Sequence, residues 1–360
     1  MTSSTASAMR GRRGRDRRLA EAAARSPASA AGPATGARRL PDLSALPPLL
    51  AVTGSLASLR ERLAAPRRHV GLTSIPHGAK SYLAAALALD ASGERLVWIA
   101  RDAEIGDRVA EELQAWLGDT AAVAVLEPRT ALAYERSELV ADETAARVAA
   151  LSAWRAGRAR ILVASVQALV QHTIAPGDLP DDVRILEVGA RLHQDALLAD
   201  LLDLGYAPTL EVAGRGEFAR RGGIVDVFPP SAPLPVRIEF FGDEIDSLRA
   251  FDPTDQRTVG PLDEAVLLPA SEFLQPHGGV AALRDTLGRR AGKLPERLAA
   301  DFERFAASGP ESRALSVGDA AEVWAPLLAP ASGLDHVAED TLLVVDEPGD
   351  VAEAVEFLWR

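Results

Sequence analysis

Cysteine is absent from all 360 residues. The chain therefore has no disulfide frame, no thiolate nucleophile and no Cys-ligated zinc. Histidine is scarce and scattered, at His69, His77, His172, His193, His277 and His336, and no pair has the His-Glu-x-x-His spacing of a helical zinc site. No uninterrupted apolar run reaches the roughly 18–20 residues of a membrane span. The N-terminus is Arg-rich but lacks the apolar stretch of a secretory signal. These absences argue against a metal centre and a membrane protein, and they fit a cytoplasmic location.

Positive charge is also sparse over most of the chain. The formal net charge is -12. Residues 1–40 hold nine Arg, Arg10, Arg12, Arg13, Arg15, Arg17 and Arg18 among them, against Asp16 and Glu21, so that segment is about +7 and the remainder about -19. An acidic body argues against broad DNA binding by phosphate neutralisation. Residues 1–44, rich in Arg, Ala, Ser, Gly and Pro, are expected to form a disordered basic arm. A nucleic-acid contact through its arginines is one reading of the arm; an extension without function is the other.

What is present is globular composition, 48% hydrophobic and 25% charged, at a length that suits two or three domains. A helix is expected around Leu56–Leu63, stopped by Pro66. The run His69-Val-Gly-Leu-Thr-Ser-Ile-Pro-His-Gly-Ala-Lys-Ser-Tyr82 then leads into an apolar helix at Leu83–Leu89. Strand, Gly-containing loop, Lys-Ser and helix is the layout of a phosphate-binding loop. With Lys80-Ser81 set on the Lys-Ser of that motif, its two glycine positions fall on Ser74 and Ala79. Those glycines supply positive φ and close backbone approach to phosphates, and Pro76 removes a donor as well. The loop is read as a relic nucleotide site.

Arg95–Ala100 reads as a buried strand. Asp102 can cap the next helix, which carries Ile105, Val109, Leu113 and Leu117 at four-residue spacing and ends at Gly118. A strand at Ala121–Leu126, a helix at Thr144–Trp154 and a strand at Arg160–Ala164, followed by a helix through His172, continue the alternation of a parallel α/β sheet. A strand is expected at Val183–Val188 and a helix at Gln194–Leu204. From 271 the chain looks helical as far as Trp324. Thr341-Leu-Leu-Val-Val-Asp-Glu-Pro348 resembles the strand that ends in Asp346-Glu347 to hold Mg²⁺ and activate water in nucleotide hydrolases. With the phosphate loop altered, this too is read as a relic. Asp350–Arg360 is expected to be an amphipathic helix.

The stretch from Gly214 to Thr258 is a run of short strands. Ile224–Phe228 is stopped by Pro229-Pro230, Pro235–Phe241 alternates, and Gly242-Asp243 offers a turn into Glu244–Arg249. On the second of these, Val236, Ile238 and Phe240 form a core face. Arg237, Glu239 and Phe241 share the other face, either as a solvated cross-strand pair beside an edge cap or as interface anchors. Arg215-Gly-Glu-Phe218, Arg221-Gly-Gly-Ile-Val-Asp-Val-Phe-Pro229, Arg237-Ile-Glu-Phe-Phe-Gly-Asp-Glu-Ile-Asp-Ser-Leu248, Phe251-Asp-Pro253 and Gln256-Arg-Thr258 together resemble one module. It is shared by the excision-repair protein UvrB and the bacterial transcription-repair coupling factors (Mfd), where it is the docking surface for UvrA.

That resemblance runs over about residues 45–360 and implies the following. The fold is a RecA-like (P-loop-type) parallel α/β domain from 45–182 and 271–360, with an α+β UvrA-docking module inserted at 183–270. Arg221, Arg237 and Phe241 match family contact positions, and Glu239 matches UvrB better than the coupling factors. The arginines are expected to pair with UvrA carboxylates and Phe241 to fill an apolar recess. The span Leu126–Arg147 is too short for the DNA-clamping hairpin of UvrB, so the resemblance implies the N-terminal, UvrB-like part of a coupling factor, which recruits UvrA to stalled RNA polymerase in transcription-coupled repair. RNA polymerase, DNA, ATP and Mg²⁺ belong to domains beyond Arg360, where the chain is expected to be truncated. The piece in hand, expected to be a monomer, is expected to need no cofactor, to catalyse nothing, and to leave exposed a surface that is masked in the resting full-length protein. The alternative is a UvrB-type ATP-binding helicase lobe acting on damaged DNA through Lys80, Ser81, Asp346 and Glu347.

Overall fold

The structure, a computed structural model, describes residues 42–64, 69–90, 94–130, 141–179, 184–274 and 329–359, with a few isolated positions between 281 and 303. The basic arm, residues 131–140 of the hairpin span, and most of the helical stretch expected between 275 and 328 lie outside the described residues.

Helix α1 (Gly54–Leu63) and α2 (His77–Ala88) precede strand β1 (Leu96–Ala100), and α3 (Ala103–Leu117) follows it. The capping of α3 is as the sequence implies. Asp102 accepts a 3.0 Å hydrogen bond from the Ile105 amide, and Gly118 closes the helix at φ 66. A side chain at Gly118 would also collide with Asp42 and Ser44, which lie within 2.9 Å of where its Cβ would sit. Strand β2 (Val123–Leu126), α4 (Ala141–Arg155) and β3 (Ile161–Ser165) continue the alternation. The helix after β3 is shorter than expected. α5 covers only Val166–Val170, and His172 opens β4 (His172–Thr173). That strand pairs with a later one and so leaves the helical path.

The inserted module starts at β5 (Arg184–Glu187) and α6 (Gln194–Asp203). Next come β6 (Ala207–Pro208), β7 (Glu217–Arg221), β8 (Ile224–Val227), β9 (Val236–Phe241), β10 (Glu244–Phe251) and β11 (Thr258–Leu262), which form one sheet in the order β11-β10-β9-β8-β7-β6. Strand β12 (Glu264–Leu267) returns to pair with β5. After the module, β13 (Ala331–Ser332) pairs with β4, β14 (Leu342–Val345) joins the first sheet, and α7 (Pro348–Leu358) follows.

The first sheet is parallel, in the order β14-β1-β3-β2, with the RecA-like layout the resemblance implied. β3 is wholly buried and β1 nearly so, as helices cover both faces. On one face α2 and α3 pack Ala85, Leu87, Val109 and Leu113 against Leu96, Trp98 and Ile161. On the other, α4 sets Val148, Leu151 and Trp154 against Val97, Leu126 and Leu162. The module has its own core, where Leu197 and Leu201 of α6 meet Phe218, Val225, Val227, Val236, Ile238 and Leu248.

A buried ionic knot ties the module to the sheet. Glu272, just past β12, accepts from Arg147 Nε of α4 at 2.8 Å, from Thr173 Oγ1 at 2.6 Å and from Arg129 Nη1 at 3.2 Å. All four residues are essentially inaccessible to solvent. Arg215 of the module also reaches Asp142 of α4 at 3.1 Å.

Candidate functional site: a sheet face and a Lys80 cluster

Cross-strand register sets out the open face of the module. Arg221, Ile224, Glu239 and Ser247 form one row across β7 to β10, and Ala219, Asp226, Arg237 and Arg249 form the next. Phe241 lies two residues beyond Glu239 and shares its face, since side chains alternate along a strand. The opposite face holds Val236, Ile238 and Phe240, as expected.

This face is half covered. Val212, Ala219, Phe228 and Phe251 form a small second core at one end. The other end is bare, and Phe241 there is 82% exposed. Arg237 sits at the boundary, and its position differs from the solvated pair with Glu239 considered from the sequence. Its Nε and Nη2 grip the two oxygens of buried Asp226 at 2.7 and 2.9 Å, and Nη1 donates to the Gln256 carbonyl at 3.4 Å. Its guanidinium lies 4.6 Å from the Phe251 ring centre, and its side chain is only 18% exposed. The bonds to Asp226 raise the Arg237 pKa, against a smaller opposing effect of burial. Glu239 turns instead to Ser247 Oγ at 2.9 Å and to Arg249 at 3.5 Å.

Arg221 is about half exposed. Its Nη2 donates to the Leu210 carbonyl at 3.2 Å and lies 3.9 Å from Glu211. Leu210 itself is 94% exposed. Sequence reasoning missed it, because a single Leu in a polar segment carries no periodic signal. Beside Phe241, a groove is lined by Arg191, Leu192, His193, Ala196, Asp243 and Glu244.

The nucleotide-type residues also meet. Lys80 Nζ lies 2.7 Å from Asp346 Oδ1 and 2.5 Å from Glu347 Oε1. Burial lowers the Lys80 pKa, but the bonds and charges of Asp346 and Glu347 outweigh it, so the ammonium is held protonated. Lys80 in turn pulls the Glu347 carboxyl below its usual range. Two non-glycine residues here have left-handed backbone, Ser74 at φ 60 and Glu347 at φ 50. Ser74 stands where the motif's first glycine would be, so the twist survives without the glycine. Ala79, at the second glycine position, is an ordinary residue of α2.

Two local expectations need correcting here. The helix begins at His77, so Lys80 and Ser81 lie within it rather than ahead of it. Among the described residues no strand precedes the loop: 69–76 run unpaired and mostly exposed. Val70-Gly-Leu-Thr73 carries too few apolar side chains to bury, and among the described residues no strand lies beside it to take its backbone bonds. Ser81 is buried and turned into the helix pair, donating to Glu112 Oε2 at 2.6 Å and accepting from Trp116 Nε1 at 3.2 Å.

Residues 185–273 match the family model described as the UvrB interaction domain. The transcription-repair-coupling factor of Bacillus subtilis is 32% identical over 254 residues, covering 66% of this chain and 21% of that protein. That of Myxococcus xanthus is 31% identical over 288 residues, covering 74% and 23%. UvrABC system protein B of Thermosipho africanus is 29% identical over 230 residues, covering 59% and 35%. The chain spans about a fifth of the length of the coupling factors it matches. Over most of its own length it is similar to one part of them.

Proposed function

We propose that this chain docks UvrA through its inserted module and thereby serves transcription-coupled nucleotide excision repair, as the UvrB-like part of a coupling factor. One observation carries the reading. Phe241, 82% exposed, stands with Arg221 on the bare end of a sheet face inside the segment that matches the UvrB interaction domain. A large aromatic and an arginine on a rigid strand face are the usual anchors of a protein interface. Arg221, Arg237, Phe241 and Glu239 are the residues proposed to build the docking face, and Leu210 joins them from beside Arg221. The parallel α/β domain acts as the scaffold, as a monomer, without a nucleotide or metal of its own. Contacts with RNA polymerase and DNA belong to other parts of a coupling factor.

The Lys80 cluster fits this non-catalytic role. A phosphate entering it has to compete with two carboxylates for Lys80, and the Ser81 hydroxyl is already committed to Glu112. The left-handed turn retained at Ser74 and the meeting of Lys80 with Asp346 and Glu347 are the observations that favour an ATP-binding lobe instead.

A titration against purified UvrA tests the docking reading, with Arg221→Ala/Phe241→Ala as the control. The expected result is affinity at or below about micromolar, lost in the double variant. Absence of binding by the folded wild-type chain overturns it, and a Mg-ATP titration then decides whether the chain is a nucleotide-binding lobe.

A further inference from the structure

All three nitrogens of the Arg237 guanidinium are bonded inside the module. Nε and Nη2 face the Asp226 carboxylate, Nη1 faces the Gln256 carbonyl, and one face lies over Phe251. To offer the same fork to a carboxylate on a partner, Arg237 would have to leave Asp226. Asp226 is 1% exposed. A buried carboxylate stripped of its cation and of two charge-assisted bonds is strongly unfavourable.

The bonds continue past Arg237. Gln256, whose carbonyl Arg237 holds, donates through Nε2 to the Val212 carbonyl at 3.1 Å. Val212 is fully buried against Phe251 and Phe228 and anchors the segment that carries Leu210 and Glu211. The Leu210 carbonyl in turn accepts from Arg221. A contiguous line of contacts therefore runs from Asp226 through Arg237, Gln256 and Val212 to Leu210 and Arg221.

We propose that Asp226 and Arg237 form a clamp that positions this face for its partner, with Arg237 acting through Asp226 and direct contact falling to Phe241, Arg221 and Leu210. Arg237 is a positioning residue in this arrangement. The proposal rests on the UvrA-docking reading and assigns Asp226, which carries no exposed surface, a part in it.

The two possible roles of Arg237 predict opposite signs for one substitution. If Arg237 touched UvrA directly, Asp226→Asn would release it, and affinity would hold or rise. With the clamp, Asp226→Asn weakens UvrA binding by roughly 3- to 30-fold, the range for coupling carried through packed side chains. Arg237→Lys keeps the charge but loses the fork, so it weakens binding about as much as Arg237→Ala does. The double variant Asp226→Asn/Arg237→Lys loses little more than either single change, because both act through one contact. The salt dependence of association stays that of wild type, since no charge at the interface has been removed.

A second measurement needs no UvrA. Amide hydrogen exchange across residues 209–216 speeds up in Asp226→Asn, while the thermal transition confirms that the variant is folded. Unchanged or tighter UvrA binding by Asp226→Asn overturns the clamp, and so does unchanged exchange at 209–216. If Phe241→Ala and Arg221→Ala leave UvrA affinity untouched, the docking reading itself falls; the exchange experiment still decides whether the clamp orders the face.

Discussion

Lys80 and Asp346 are 266 residues apart in sequence and 2.7 Å apart in space. The ion pair they make, joined by Glu347, fixes the N-terminus of α7 to α2 where a nucleotide hydrolase would hold phosphate and Mg²⁺. Lys80→Ala leaves the buried Asp346 carboxylate without its cation. The expected cost is about 1–3 kcal/mol, the range for stranding one partner of a part-buried charged bond. Thermal melting measures it, and Mg-ATP has no effect on the transition of either protein. A transition raised by Mg-ATP in the wild type, but not in Lys80→Ala, would return the Lys80 cluster to nucleotide binding.

Phe241 and Arg221 are predicted to matter to UvrA and not to the fold. Phe241 buries almost nothing within the chain, so Phe241→Ala leaves the melting temperature unchanged. Its UvrA affinity falls by about 30-fold, the equivalent of the roughly 2 kcal/mol that marks an interface anchor. Arg221→Ala behaves similarly. A large drop in melting temperature for Phe241→Ala would place the ring inside the fold.

Leu210→Ser tests the residue that the sequence concealed. It removes an apolar side chain that stands in solvent, so stability is unchanged or slightly improved. A drop in UvrA affinity of roughly 3- to 10-fold is expected for a contact at the edge of a hot spot. Equal affinity of wild type and variant would restrict the docking face to β7 and β9.

The parts that were legible in the sequence are those set by local rules. The Asp102 cap, the Gly118 stop and the alternation along β9 each depend on residues within a few positions of one another. The meeting of Lys80 with Asp346 and Glu347 was legible only because two separate motifs share one chemistry. The partner of Arg237 was not legible. Asp226 faces it because β8 and β9 pair in one particular register, and the loop that sets that register has no diagnostic turn sequence. The strand expected before Ser74 failed for a related reason. Periodicity can propose a strand, but it cannot supply the neighbour that strand must pair with.

His336 should give the fold an acid-sensitive step. Its Nε2–H donates to the Ile174 carbonyl at 2.9 Å, and its own carbonyl accepts from Trp154 Nε1 at 3.0 Å. Burial lowers its pKa, only partly offset by the bond to Ile174. The unfolded chain protonates this imidazole near pH 6.5, and the folded chain does so only at lower pH. Stability from this group is therefore complete above about pH 6.5 and is lost as pH falls from there through the lowered folded value. Melting temperatures measured down to about pH 5.5, above the main carboxylate range, should decline in the wild type. His336→Gln, which can keep the bond to Ile174, should flatten that decline. An identical decline in both proteins would assign it to other groups.

Glu272 offers the most severe test of how the two parts of the chain are joined. It lies at the exit of the module, yet its carboxylate is buried among Arg147, Arg129 and Thr173 of the α/β domain. Two guanidinium groups converge on one carboxylate, so the site depends on that negative charge. Glu272→Gln keeps the shape and removes the charge that Arg147 and Arg129 share. Breaking a buried pair from one side costs about 3–5 kcal/mol, which for a domain of this size lowers the melting temperature by roughly 6–20 °C. The module has a separate core around Leu197, Phe218 and Ile238, so the loss should reach the α/β domain first. Calorimetry of Glu272→Gln should then show two transitions, with the upper one belonging to the module and UvrA binding retained up to it. A variant that melts as one unit at the wild-type temperature would mean that the joint is held by packing and that the ionic knot adds nothing.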